Sequence, residues 1–308
     1  MRIAVMGTGG VGGYFGAKLA RAGHDVAFIA RGAHLAAIRA KGLRIESASG
    51  DVVLPDVVAT DDPSSLAPVD VVMFCVKLWD VESAAPAMAP LVARGGVVIA
   101  FQNGIDSHAI LARVLGASHV LGGVAYIAAA IAAPGVIVHT GSMAKLRVGA
   151  FREDLQQRAA AFVHACTQAG FDAEVAPDIR RAIWEKFVFL TALSGVTALS
   201  RQPVGVVRGN PALREAFAAA MREVVALARA ESVPLADDFL PRQMRAFDTL
   251  PAAMRSSMQN DLLAGHRLEA PWLCGRVAEL SAEAGIPAPV NATIYAGLSP
   301  FVNGDAHR

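Results

Sequence analysis

Short apolar runs alternate with helical stretches through the first half of the chain. Runs at residues 2–6, 25–30, 69–76 and 96–101 predict strands. A further pair falls near 120–125 and 135–139, and 145–148 adds another edge. Alternation of this kind predicts parallel strands joined by helical crossovers. Residues 71–76 and 97–101 are continuously apolar, as strands covered on both faces are. Beyond Val175-Ala176-Pro177 little strand pattern remains. Asp178 is placed to cap a helix carrying Ile179, Ile183, Trp184 and Phe187. Residues 211–230 set Phe217, Met221, Val224, Val225 and Ala228 on one helical face. Residues 253–263 and 271–284 are further helical stretches. The pattern predicts an α/β domain over 1–176 followed by an all-α domain over 177–308.

The first apolar run, Ile3-Ala4-Val5-Met6, leads directly into Gly7-Thr8-Gly9-Gly10-Val11-Gly12. Gly7 permits a tight turn out of the strand, Gly9 lets the backbone approach a pyrophosphate, and Gly12 lets the following helix pack closely on the sheet. Free N–H groups at the helix start and the positive end of its dipole then face the phosphates. A GxGxxG alone is a weak signal. Here it follows a strand, opens a helical stretch that ends at Gly23, and precedes a second strand, which is the context a dinucleotide site requires.

Composition narrows the field. At 308 residues the chain is long enough for two ordinary domains. It is 54% hydrophobic and 18% charged with net charge +1, so disorder and a nucleic-acid partner are both disfavoured. Cys75, Cys166 and Cys274 are far apart, and the eight histidines show no ligand spacing, so no metal site is expected. Widely spaced cysteines and an amino-terminal strand in place of a signal peptide point to the cytoplasm. Residues 120–138 carry no charge. Their glycines and Pro134-Gly135 read as a turn between two buried strands rather than a membrane span.

The second strand ends in Arg31-Gly32, where an NAD-preferring fold usually offers an acidic side chain to the ribose 2′-OH. Asp25 lies at the wrong end of that strand. Arg31 instead presents a permanent cation where an extra 2′-phosphate would sit, which predicts NADP(H). Ligands in such sheets bind beyond the carboxyl ends of the strands. Lys77 follows one strand there, within reach of a ribose or phosphate. Asn103 follows another and could hydrogen-bond ribose, although Asn-Gly is also an ordinary turn.

These motifs, in order, resemble the ketopantoate reductases (2-dehydropantoate 2-reductases). The match comprises the GxGxxG, Arg31, Val76-Lys77, Gln102-Asn103-Gly104, Trp184-Glu185-Lys186, and Ser256-Ser257-Met258 twelve residues ahead of Glu269. The resemblance implies a Rossmann-type dinucleotide-binding domain followed by a helical domain, and NADPH-dependent reduction of ketopantoate to pantoate on the route to pantothenate and coenzyme A. It implies that Lys186 is the general acid and Glu269 its companion near substrate and cofactor. Ser257 would receive the substrate carboxylate. Lys77 and Asn103 would hold the cofactor, with Asn103 also touching substrate. Small residues around Ala129 would line the nicotinamide. The bland alternative for Lys186 is a surface lysine lying along its helix.

The resemblance breaks on the substrate side. Leu190 and Ser194 continue the helical stripe of Lys186, where the family pattern has asparagines. Met254 replaces another, and Ala270-Pro271 follows Glu269 without the pattern's acidic residue. Ser194 remains a candidate substrate ligand. A more apolar 2-keto acid or ketone is therefore an alternative substrate, and an imine or amino-acid adduct another. A non-catalytic NADP(H) sensor is a reading of a different class, disfavoured because a sensor needs no proton donor. The oligomeric state is open; the alanine- and methionine-rich helices could support a homodimer, the commonest assembly.

Overall fold

The structure, a computed structural model, describes residues 1–304. The chain divides into two compact units, one from Met1 to Ala182 and one from Ile183 onward.

The first unit is built on a ten-stranded sheet of β1 (Arg2–Met6), β2 (Asp25–Ile29), β3 (Leu43–Ser47), β4 (Val52–Leu54), β5 (Val58–Thr60), β6 (Val71–Phe74), β7 (Val97–Ala100), β8 (Val120–Ala133), β9 (Val136–Ala150) and β10 (Asp172–Val175). Six of these follow the order β5-β2-β1-β6-β7-β8, all parallel. This is the doubly wound order of a dinucleotide-binding sheet, which reverses at β1. Side chains alternate across the pleat. Val71 and Met73 therefore join the core with Phe15, Phe28 and Phe162, while Val72 and Phe74 face Met88, Leu91 and Leu111. Helices α1 (Gly10–Arg21), α2 (Gly32–Lys41), α5 (Ser107–Leu115) and α6 (Gln156–Gln168) accompany the sheet, with single turns α3 (Val81–Ala84) and α4 (Ala89–Val92).

Two expectations change here. The separate segments expected at 135–139 and 145–148 are one strand, β9, which pairs antiparallel with β8 in a long hairpin. Residues 145–148 are not an edge, because β10 pairs alongside them and β8 lies on their other side. The hairpin turns at Pro134-Gly135 as expected; the end of β8 before the turn is largely exposed, whereas Ile137 and His139 of β9 just after it are buried. Four strands gave no clear signal. Three of them, β4, β5 and β10, have only three or four residues, and β3 carries Arg44 and Glu46 on alternate positions.

No strand occurs among the described residues after Val175. The division of the chain falls within α7 (Ile179–Ser200), whose start is capped by Asp178 Oδ1 accepting from Arg181 N–H at 2.9 Å. Alone among the described helices, α7 is long and apolar enough to cross a membrane, and most of that stretch is buried within the fold. The second unit continues with α8 (Val204–Gly209), α9 (Pro211–Ala230), α10 (Phe239–Thr249), α11 (Ser257–Leu263), α12 (Cys274–Glu283) and α13 (Pro289–Leu298). The predicted face of α9 is buried, with Phe217 stacked on Phe247 at 4.1 Å between ring centres. The helix expected from 253 starts only at Ser257. The carbonyls of Ala252 and Met254 instead accept from Gly205 and Val204 N–H. Likewise α12 starts at Cys274, because Ala270–Trp272 forms a separate 3₁₀ turn.

Candidate active site

Gly7 leaves β1 with φ +95°, and a Cβ there would meet the Cys75 and Val76 backbone at 2.9 Å. Only glycine makes this turn without strain. The Gly7 and Thr8 N–H groups and the Thr8 hydroxyl all donate to Ile29 O, at 3.1, 3.1 and 3.0 Å. The turn is thus tied to the end of β2, and these two N–H groups are engaged by protein. The first turn of α1 supplies those that remain, from Gly10, Val11 and Gly12, since helical geometry gives them no intrahelical acceptor. A Cβ on Gly9 would stand in open space, whereas one on Gly12 would meet Gly7 O at 2.4 Å. The loop is therefore open on its outer side and packed on its inner side, which fits a pyrophosphate.

Ala129 in β8 lies against this turn: a Cβ on Gly10 would come within 2.0 Å of Ala129 O. His34 ties the same parts together. Its Nδ1 accepts from Gly135 N–H at 3.0 Å, so Nε2 carries the proton donated to Thr8 O at 2.8 Å. Burial lowers the His34 pKa below 6.5, and the bond to Thr8 opposes that shift.

Arg31 lies at the carboxyl end of β2, as expected, just before α2, with its guanidinium 2.8 Å from the Asp80 carboxylate. Lys77 starts the 3₁₀ turn Leu78–Asp80 beyond β6, its Nζ 5.4 Å from the centre of the Trp79 ring. Asn103 follows β7. Its neighbour Gln102 donates through Nε2 to Phe74 O and Val76 O, at 2.8 and 3.2 Å, joining two strand ends.

In the second unit Lys186 lies partly buried on α7, and Glu269 is buried at the start of the turn before α12. Burial lowers the Lys186 pKa from 10.5 to about 8, and the charge of Glu269 opposes that shift. Ser194, two turns along α7, is buried with its hydroxyl unpartnered, as is Thr191. Ser257 is exposed in the first turn of α11. Its neighbour Ser256 is the buried N-cap. Ser256 Oγ accepts from Gln259 N–H at 3.1 Å and lies 2.7 Å from Thr197 Oγ1, which itself donates to Leu193 O at 2.6 Å. The hydroxyl protons are thereby assigned: Ser256 donates to Thr197, and Thr197 to Leu193.

Residues 3–153 match the model of the family described as ketopantoate reductase PanE/ApbA, and residues 178–301 match its C-terminal model. The chain belongs to the ketopantoate reductase family. A 2-dehydropantoate 2-reductase of Halobacterium salinarum is 32% identical, over 96% of each chain. The crystal structure of a PanE/ApbA family ketopantoate reductase from Ralstonia eutropha superposes with TM-score 0.89 at 35% identity, covering 98% of each chain. D-mandelate dehydrogenase, in a ternary structure with NADH and anilino(oxo)acetate, shares the fold with TM-score 0.90 at 18% identity and 98% coverage of both. This member of the ketopantoate reductase family is thus an oxidoreductase that uses a nicotinamide dinucleotide on a small 2-keto acid. Among its described residues no three His, Cys, Asp or Glu side chains stand together to hold a metal ion, and His307 lies outside them.

The structure brings Gly7 to Gly12 and Ala129 together, and couples Lys186 to Glu269. Sequence reasoning did not find His34 and Asp80, which bond to the glycine turn and to Arg31 in the first unit, or the Thr197–Ser256 bond in the second. Only Ser256 had a local signal: Ser256-x-x-Gln259 is the start of a capping box.

Proposed function

We propose that the chain is a cytoplasmic NADPH-dependent reductase of ketopantoate, with Lys186 as proton donor. Residues 1–176 carry the dinucleotide through the glycine turn, Arg31, Lys77, Asn103 and Ala129. Residues 177–308 supply Lys186, Glu269, Ser194 and Ser257. NADPH, when bound, supplies the hydride. The carbonyl oxygen of the substrate gains negative charge as the ketone is reduced, and the Lys186 ammonium donates a proton to it. Glu269 keeps that ammonium charged and oriented. Ser257 and Asn103 hold the polar groups of the 2-keto acid.

What carries this reading is the placement of Lys186 on α7 where the charge of the buried Glu269 acts on it, and burial brings its pKa down to about 8. An ammonium brought near neutrality is a better general acid than an ordinary lysine, yet remains protonated at pH 7. Lys186→Ala should lower kcat by roughly 10²- to 10⁴-fold, with NADPH affinity retained. Near-normal turnover with bound NADPH would remove the role. Arg31→Ala should weaken NADPH far more than NADH, and an equal loss for both would sink the NADPH assignment.

Leu190 favours a second reading of the substrate. It is apolar, one turn from Lys186, and only half-buried. A more apolar branched 2-keto acid would then be preferred. Rates of NADPH oxidation with ketopantoate against other branched 2-keto acids decide between them.

A further inference from the structure

The Arg31–Asp80 pair spans the carboxyl edge of the sheet. Arg31 follows β2 and Asp80 lies in the turn after β6, and these strands flank β1, from which the glycine turn springs. The two side chains therefore meet across the mouth of the dinucleotide site, at 2.8 Å. They differ in freedom. The Arg31 side chain is 77% exposed and can turn toward a ligand, whereas that of Asp80 is 24% exposed. Its turn is fixed by Asp80 N–H donating to Lys77 O at 2.9 Å and by Ser83 Oγ donating to Asp80 O at 3.1 Å. A phosphate that draws Arg31 away leaves the Asp80 carboxylate un-neutralised beside a second anion. A ribose hydroxyl at the same place carries no charge and can donate to that carboxylate, as it does to the acidic residue of NAD-binding sheets.

We propose that Asp80 is a cofactor-discriminating residue: it opposes the 2′-phosphate of NADPH, offers an acceptor to the ribose of NADH, and so narrows the preference between the two. This rests on Arg31 being the 2′-phosphate ligand. The test is equilibrium binding of NADPH and NADH to the full chain, followed by nucleotide fluorescence, for wild type, Asp80→Asn, Asp80→Ala, Arg31→Ala and the Arg31→Ala/Asp80→Ala double variant. Both Asp80 variants should bind NADPH roughly three- to tenfold more tightly at low salt, an effect that shrinks as salt screens the charges. NADH binding should be severalfold weaker, and the gain for NADPH should persist or grow in the Arg31→Ala background, where no guanidinium offsets the carboxylate. An unchanged or falling preference for NADPH in both Asp80 variants, with Arg31→Ala still selective against NADPH, overturns the role of Asp80 alone. Equal loss of both nucleotides in Arg31→Ala overturns the underlying reading, and the proposal with it.

Discussion

Glu269→Gln keeps the shape of the side chain and removes its charge. The pKa of Lys186 is about 8 against an ordinary 10.5, a bias against the ammonium of about 3 kcal/mol. Burial supplies that bias and Glu269 opposes it, so the amide should move Lys186 further down. An opposite charge beside an ammonium is worth about one unit or more, which takes the variant to about 7 or below. A proton donor acts only while protonated. The profile of kcat/KM, which reports the free enzyme, should therefore be flat on the acid side and fall about tenfold per pH unit above the pKa. At pH 7.5 the protonated fraction drops from about three quarters to about one quarter, an approximately threefold loss that acid pH restores. The assay is initial-rate NADPH oxidation with a 2-keto acid across neutral to alkaline pH at constant ionic strength. Lys186→Arg is the control: its guanidinium stays charged across this range, so the residual activity it keeps should lack the basic limb. A basic limb that stays at about 8 in Glu269→Gln, or moves up, refutes the coupling.

Adjacent serines should separate stability from binding. Ser256→Ala removes the cap of α11 and the partner of Thr197, and should cost about 1–2 kcal/mol in urea unfolding. Ser257→Ala should leave stability within about 0.5 kcal/mol but raise KM for the 2-keto acid about tenfold; equal effects on stability would contradict the assignment. Acid should destabilise the fold through two histidines. Burial holds His34 and His108 below 6.5, against the bond to Thr8 for His34 and the charge of Asp106 for His108. The unfolded chain therefore binds more protons just below pH 6.5, so stability rises with pH through that window and is lost as pH falls from neutrality toward the folded values. Urea midpoints at pH 5 and 7.5 should converge in His34→Asn relative to wild type. Finally, Lys186→Met with Glu269→Gln removes a desolvated charge together with its partner. That double variant should be inactive yet more stable by about 1–2 kcal/mol, read as a higher Tm; a lower Tm would mean the pair stabilises the fold.

The glycine turn, the strand-end positions of Arg31, Lys77 and Asn103, and the helix 211–230 were legible because each rests on local pattern. A turn that needs Gly7, a cap such as Asp178 and a periodic face such as that of α9 all lie within a few residues of chain. What the pattern did not yield depends on partners far along the chain. Asp80 reaches Arg31 across 49 residues, and Thr197 reaches Ser256 across 59. Neither pairing has a periodicity, so no window of sequence contains it. The same limit explains why 145–148 was read as an edge: its cover, β10, lies beyond the intervening helix α6.

The substrate side shows the consequence for chemistry. The family resemblance marks Ser194, two turns beyond Lys186, as a smaller residue where the pattern has an asparagine. Its buried and unpartnered hydroxyl, shared with Thr191 on the same helix, was not legible. An orphaned buried hydroxyl costs about 1–3 kcal/mol, whereas an apolar residue there would cost nothing of the kind. A stripe adapted only to an apolar substrate would hold no such groups. We propose on this ground that the substrate is a 2-keto acid with an apolar branch beside Leu190 and a polar group toward Ser194. Ser194→Ala tests this through the ratio of kcat/KM for branched 2-keto acids with and without a hydroxyl, which should fall toward one. A ratio that does not move removes Ser194 from substrate recognition.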